Sequence, residues 1–310
     1  MVAQKLYLVP KSLTEATEMA IKNLPDFKYI SGGTDVMVNK YQGNEKSTCF
    51  IDLTKLLELK GINKSGDFLR IGALEKLSSL EFNDEIKENF PMLIEAALSV
   101  GSPLLRKTAT IGGNILCENR CLFYNQSDWW RESVGYCLKC EGDICIATQG
   151  KNACFSELVS DTAPALIAMN ALAEIYDQDR IHQIKLEDIY TGDGVNPRNL
   201  SKTAIVTSLL LPLNRNFRTS FFKLRERESL EFTSLTSAVS LNKNGEIKIA
   251  LAGVDPKVVV IEGVLGDDLE KLIAKAIKGA RTVENDMYSR KYRREMIRIY
   301  LTRSFNKLIQ

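Results

Sequence analysis

Residues 117–154 hold six of the chain's seven cysteines, and the αβ patterning on either side reads as continuous without them. Strand-like and helical runs that end at T-A-T-I-G-G-N (108–114) resume at S-D-T-A-P-A-L-I-A-M-N-A (160–171), so residues 115–159 read as an insertion into one domain. The thiols are Cys117, Cys121, Cys137, Cys140, Cys145 and Cys154, spaced C-x3-C-x15-C-x2-C-x4-C-x8-C. In a reducing compartment such clustering is more often metal ligation or redox chemistry than disulfide bonding, and an odd total fits a disulfide framework poorly. A structural zinc needs four thiolates around one ion, and Cys117, Cys121, Cys137 and Cys140 offer a C-x3-C…C-x2-C ribbon. A cubane iron–sulfur cluster also takes four cysteines, but tolerates wide, irregular loops because each thiolate grips a different corner. Spacing alone leaves these two level, with inert buried thiols a distant third. Trp129 and Trp130 beside the thiols read either as a shield against water or as ordinary core.

At 310 residues the chain has room for two or three domains and a sizeable core. Its 41 basic and 39 acidic residues nearly cancel, so no overall field steers it toward nucleic acid, and no nucleic-acid partner is expected. The start, M-V-A-Q-K-L-Y-L-V-P, has no charged lead before a long apolar run, and no stretch approaches about 18 uninterrupted apolar residues. A cytoplasmic protein that does not engage a membrane is the expectation.

Along the chain, K-L-Y-L-V (5–9) is strand-like, and S-L-T-E (12–15) forms a capping box ahead of a helix. F-K-Y-I (27–30) then runs directly into S-G-G-T-D, followed by a helical stretch to about Gln42 and the strand T-C-F-I-D-L (48–53). A second unit starts at F-L-R-I-G-A (68–73) and continues through helical segments over 83–100. From about Thr219 the pattern becomes an antiparallel meander with an Asn244-Gly245 turn, closed by two helices. In the last helix, Tyr292, Met296, Ile299 and Tyr300 share one side at helical spacing, which leaves the basic run 289–298 as a solvated face.

Ser31-Gly32-Gly33-Thr34-Asp35 sits between a strand and a helix, where paired glycines leave backbone N–H groups uncovered for an anion such as a pyrophosphate. The dinucleotide fingerprint G-x-G-x-x-G is absent, so the turn alone is a weak signal. A second pair, Thr110-Ile111-Gly112-Gly113-Asn114, could grip the same ligand from the other side. His182 is the only histidine and reads as a structural or surface residue, which leaves Ser/His/Asp and Cys/His schemes without material.

With these residues in view, the chain resembles the FAD-binding subunits of the xanthine oxidase family of molybdenum hydroxylases. S-G-G-T-D (31–35) is similar to the first flavin-diphosphate loop, T-I-G-G-N (110–114) to the second, and S-D-T-A-P (160–164) to the family's S-D-x-x-P. F-K-L-R-E-R (222–227) resembles the opening of the C-terminal domain and Y-R-R-E-M (292–296) its final helix. Most members pass from G-G-N to S-D through a much shorter segment. The insertion here is similar to that of 4-hydroxybenzoyl-CoA reductase β subunits, including R-C-x-x-Y-N-Q-S and T-A-P-A-L.

The resemblance implies an α+β chain. Residues 1–216 would be a two-lobed FAD-binding domain of the CO-dehydrogenase-flavoprotein type, with lobes at about 1–57 and 58–216 and an iron–sulfur insertion at about 115–159. Residues 217–310 would be an antiparallel-sheet-and-helix domain. By the same resemblance, Gly32, Gly33, Thr34 and Asp35 hold the FAD diphosphate, with Ser31 in place of the commoner alanine. Thr110, Gly113 and Asn114 line the other side, Asp161 meets the ribityl or adenosine portion, and Lys223 lies near the isoalloxazine edge. The pattern C-x15-C-x7-C-x8-C assigns a 4Fe–4S cluster to Cys121, Cys137, Cys145 and Cys154, and leaves Cys117 and Cys140 as bystanders.

The chain lacks a plant-type C-x4-C-x2-C motif and the length for a molybdopterin domain besides. The implied partners are therefore a molybdopterin-binding large subunit, a 2Fe–2S small subunit, and ferredoxin or a similar one-electron carrier. No residue here is expected to be catalytic. Outward electron flow, as in aldehyde, xanthine or N-heterocycle dehydrogenases, is the alternative within the family, and a zinc-ribbon interaction module is the alternative outside it.

Overall fold

The computed structural model describes residues 5–309, so positions 1–4 of the N-terminal stretch lie outside the described residues. In the first lobe β1 (Leu6–Leu8), α1 (Leu13–Lys22), β2 (Phe27–Ile30), α2 (Val36–Tyr41) and β3 (Cys49–Asp52) form a parallel sheet in the order β1-β3-β2. Ser12 caps α1 by accepting from the Glu15 amide, as the S-L-T-E pattern predicts. The core of this lobe gathers Ala16, Ala20, Ile51, Leu56 and Leu59.

The second lobe begins with β4 (Ile62–Ser65) and β5 (Phe68–Gly72), followed by α3 (Asp84–Asn89), α4 (Pro91–Leu98), α5 (Pro103–Arg106) and α6 (Ile111–Ile115). After α7 (Asp128–Val134) come α8 (Thr162–Ala168), β6 (Leu172–Asp177), β7 (Arg180–Lys185) and β8 (Ile205–Pro212). Its sheet has the order β4-β5-β8-β6-β7, with antiparallel pairings throughout. His182 lies on β7 and is exposed.

The C-terminal part contains β9 (Arg218–Leu224), β10 (Leu235–Leu241), β11 (Glu246–Ala252), β12 (Val259–Val264), α9 (Leu269–Gly279) and α10 (Arg290–Ile309). Its sheet runs β12-β11-β10-β9, and β10 is buried on both faces. Leu235, Val239, Ile249 and Leu251 face the closing helices, whereas Ala238, Ala250 and Ala252 join the core around α8. Every residue of α8 is buried, and its alanines let the sheet approach closely. Among the described residues, no helix is long and apolar enough to cross a membrane.

Two sequence expectations need correction. The buried face of α10 is Arg293, Ile297, Tyr300, Leu301, Ser304, Phe305 and Leu308. Of the expected apolar side, Tyr300 is buried and Met296 and Ile299 pack partly buried on the same core, while Tyr292 is half exposed. Arg293 belongs to the basic run yet is wholly buried, because Glu157, Gly253 O, Val283 O and Asn285 all accept from its guanidinium. None of these partners is within helical reach, so periodicity could not reveal them. The tryptophan pair is not core either: Trp129 is 74% exposed, and Trp130 sits in tilted contact with Phe123.

Candidate functional site

The first glycine loop connects the end of β2 to α2. Gly33 adopts φ +71°, a conformation other residues resist, and a Cβ on Gly32 would overlap the Thr108 carbonyl. The loop can therefore follow this path only with glycine at both positions. The amides of Gly32, Gly33, Thr34 and Asp35 make no hydrogen bond among the described residues, which gives consecutive free donors of the kind that hold a phosphate.

The second loop faces the first. Ser31 Oγ and Thr110 Oγ1 are 3.0 Å apart, and Thr110 caps α6 by accepting from the Gly113 amide at 3.1 Å. Gly113 is exposed beside this pair, and a Cβ there would lie 3.0 Å from Thr110 Oγ1. Asn114 turns its carbonyl oxygen away from the loop to accept from Ser160 Oγ (2.9 Å), the Thr162 amide (3.2 Å) and Thr162 Oγ1 (2.6 Å). Its amide nitrogen has no partner among the described residues. One side chain thereby fixes the S-D-T-A-P turn and keeps a donor in reserve.

Asp161 follows in that turn and is buried. Its carboxylate meets Lys223 Nζ at 2.7 Å and Thr236 Oγ1 at 3.1 Å, and Lys223 also donates to Ser99 O and Glu231 O. Burial pushes the Asp161 carboxyl above its usual range, and Lys223 draws it back only in part. This pair joins the start of α8 to β9, across the boundary between the second lobe and the C-terminal sheet.

Asp35 faces elsewhere. Its carboxylate accepts from the Glu118 amide at 2.9 Å and forms an ion pair with Arg120. The backbone of the loop is left for an anion, and the carboxylate's charge is spent on the cysteine segment. Arg120 in turn lies 4.5 Å above the Phe232 ring. In the sequence Arg120 stands only as the first residue of R-C-x-x-Y-N-Q-S, and nothing local there assigns it this role.

The cysteine segment leaves and returns at one backbone bridge, Arg120 paired with Glu157. Between these points Cys121, Cys137, Cys145 and Cys154 line one narrow cavity of about 10 Å³, walled by Phe123, Tyr124, Leu138, Lys139, Ile146, Ala147, Phe155 and Ser156. Cys117 and Cys140 do not line it. Cys117 is buried beside Tyr190 and Arg198, its carbonyl accepting from that arginine. Cys140 Sγ accepts from Arg131 at 3.4 Å. A loop absent from the sequence argument closes one wall: Asp193 accepts from the Cys154 amide, and Gly194 packs on Cys154 and Ser156 so tightly that a Cβ would come 2.7 Å from the Cys154 sulfur. The G-D-G run at 192–194 is the only local signal for it.

Burial pushes the Cys121 thiol up to about 12 and raises Cys154 as well, so bare thiolates are disfavoured in this space. Among the described residues, no three His, Cys, Asp or Glu side chains converge closely enough to hold one metal ion. A cubane separates its four thiolates, one per iron, so the donor set suits a cluster better than a single ion. Seating one requires the lining side chains to move outward. A larger cleft, about 770 Å³, lies between the second-lobe and C-terminal sheets around Asn170, Arg215 and Lys248, and no residue of the glycine loops or of the cysteine cavity lines it.

The chain matches the family model described as the FAD binding domain in molybdopterin dehydrogenase over residues 2–214. The FAD-binding subunit of an aldehyde oxidoreductase from Escherichia coli is 27% identical over 255 residues, which cover 77% of this chain and 78% of that one. A nicotinate dehydrogenase FAD-subunit from Eubacterium barkeri is 26% identical, covering 80% of this chain and 70% of its own. Among solved structures, a chain of the carbon monoxide dehydrogenase from Hydrogenophaga pseudoflava superposes with a TM-score of 0.76 at 19% identity, covering 99% of this chain and 98% of its own. That last likeness establishes the fold. The protein belongs to the FAD-binding subunit family of molybdenum hydroxylases and is an oxidoreductase subunit.

Proposed function

We propose that this chain is the FAD- and 4Fe–4S-carrying electron-transfer subunit of a molybdenum-dependent complex of the 4-hydroxybenzoyl-CoA reductase type. The observation that carries the proposal is the gathering of Cys121, Cys137, Cys145 and Cys154 around one cavity that excludes Cys117 and Cys140. In this reading the free amides of Gly32 to Asp35 bind the FAD diphosphate. Ser31, Thr110, Gly113 and Asn114 form the opposite wall, and Asp161 and Lys223 lie along the rest of the flavin. When bound, the flavin supplies two-electron chemistry and the cluster one-electron chemistry, so the pair links carriers of different stoichiometry. The chain's own residues bind, orient and keep water from both groups.

The partners that go with this function are a molybdopterin-binding large subunit and a 2Fe–2S small subunit. Ferredoxin or a similar one-electron carrier would supply electrons inward. A second reading keeps the flavin and reverses the flow, and it is favoured by the names of the relatives, an aldehyde oxidoreductase and a nicotinate dehydrogenase.

Anaerobic purification with metal and flavin analysis tests the proposal. About four iron and one FAD per chain are expected. Cys137→Ser should lose the iron and Cys140→Ser should keep it. One zinc per chain without iron, or iron retained in Cys137→Ser and lost in Cys140→Ser, would overturn the ligand assignment. Reduction of the flavin by reduced ferredoxin, measured against reduction by substrate through the assembled complex, separates the two directions of flow.

A further inference from the structure

Lys139 stands between Cys137 and Cys140, and its side chain is only 5% exposed. Among the described residues that line the cysteine cavity, it is the one charged side chain. Its ammonium meets Glu118 Oε1 at 2.6 Å, Asn119 O at 3.0 Å and Ser156 Oγ at 3.4 Å, and lies 4.8 Å above the Tyr124 ring. Two of these partners lead in opposite directions. Ser156 Oγ is 3.4 Å from Cys154 Sγ, and the Ser156 amide donates to the same sulfur at 3.5 Å. The Glu118 amide donates to Asp35, the last residue of the first glycine loop. The cation therefore sits one hydroxyl away from a cysteine sulfur and one residue away from the flavin loop.

Holding an ammonium out of water is costly, and here the Glu118 carboxylate, the Asn119 carbonyl and Ser156 Oγ offset that cost while fixing the cation at the cavity wall. A cubane with four thiolates is anionic, and reduction adds one further negative charge. A fixed cation in the same low-dielectric wall stabilises the reduced state more than the oxidised state, and hydrogen bonds to the sulfurs act in the same sense. We infer that Lys139 is a positioning residue that raises the reduction potential of a cluster held by Cys121, Cys137, Cys145 and Cys154, with Glu118 as its partial counterweight. The inference rests on the cluster reading given under Proposed function. The electron it favours comes from an external one-electron donor, which is oxidised as the cluster is reduced, with no bond made or broken.

The test is a potentiometric titration of the iron–sulfur signal, followed by electron paramagnetic resonance, on the anaerobically reconstituted full chain carrying FAD. Lys139→Met should retain iron and flavin and shift the midpoint to more negative potential. Lys139→Arg should stay near the parent value, and Glu118→Gln, which removes the counterweight, should shift it positive. Unchanged midpoints in Lys139→Met and Glu118→Gln would overturn the inference. So would an equal negative shift in Lys139→Met and Lys139→Arg, or loss of iron from all three variants while the parent keeps it, since either outcome makes Lys139 purely structural. A parent chain that binds FAD but no iron refutes the cluster reading instead.

Discussion

Glu157 and Arg293 form a buried ion pair that ties the return of the cysteine segment to the first turn of the last helix. The two terminal nitrogens of the guanidinium also donate to Gly253 O, Val283 O and Asn285 Oδ1, whereas its buried Nε has no partner among the described residues. Removing one member of such a pair strands the other without water. Arg293→Met is expected to destabilise the protein by about 3–5 kcal/mol, measured by denaturant unfolding of flavin-matched samples. A loss below about 1 kcal/mol would show that the pair is solvated in solution.

Gly32 packs its α-carbon on the Thr108 backbone, and no flexible side chain is available to yield. Gly32→Ala should push the two glycine loops apart and weaken FAD retention about tenfold or more, in keeping with the usual cost of overpacking. The ratio of flavin to protein absorbance after gel filtration reads this directly. Gly66→Ala serves as the control, because no atom lies within 4 Å of its added Cβ and any effect there comes from its φ of +57° alone.

The Asp161–Lys223 pair has a pH consequence whose sign follows from burial. The folded state raises the Asp161 carboxyl, so it binds that proton more tightly than the unfolded chain does. This contribution is present at low pH and is lost as pH rises through the folded value. Lys223→Met removes the group that draws the carboxyl back, and should make the thermal midpoint fall more steeply than in the parent as pH rises above the ordinary carboxylate range. Equal slopes in variant and parent would mean that Lys223 does not compensate Asp161.

In iron-free protein the cysteines should separate by reactivity. The hydrogen bond with Cys137 and then the charge of Arg131 bring Cys140 down to about 6, whereas burial holds Cys117 and Cys121 up at about 12. Cys140 should therefore be the first thiol alkylated, at a rate that rises as pH increases through about 6 and then levels, as peptide mass spectrometry would show. Faster labelling of Cys117 would contradict the burial seen here.

Local patterns made much of this architecture legible. The strand that runs into Ser31-Gly32-Gly33, the capping box at Ser12 and the Asn244-Gly245 turn are all encoded within a few residues. What escaped was set by contacts distant in sequence. Arg293 reads as one more surface charge until residues 157, 253, 283 and 285 surround it. Asp35 reads as part of an anion loop, yet its carboxylate belongs to Arg120. Lys139 lies inside a C-x2-C spacing and Gly194 inside a G-D-G run, but neither pattern points to the cavity, because the wall of a small cavity is assembled from unrelated turns.

The bridge between Arg120 and Glu157 gives the cysteine segment the character of a cassette. Its two ends already meet, and the Asn114 side chain joins the flanks just outside them, so the scaffold bears the cost of closing the loop. Such a cassette is joined to the first glycine loop through Asp35, the ion-pair partner of Arg120. Its excision would leave two charged side chains of the scaffold without their ion-pair partners, the Arg293 guanidinium and the Asp35 carboxylate.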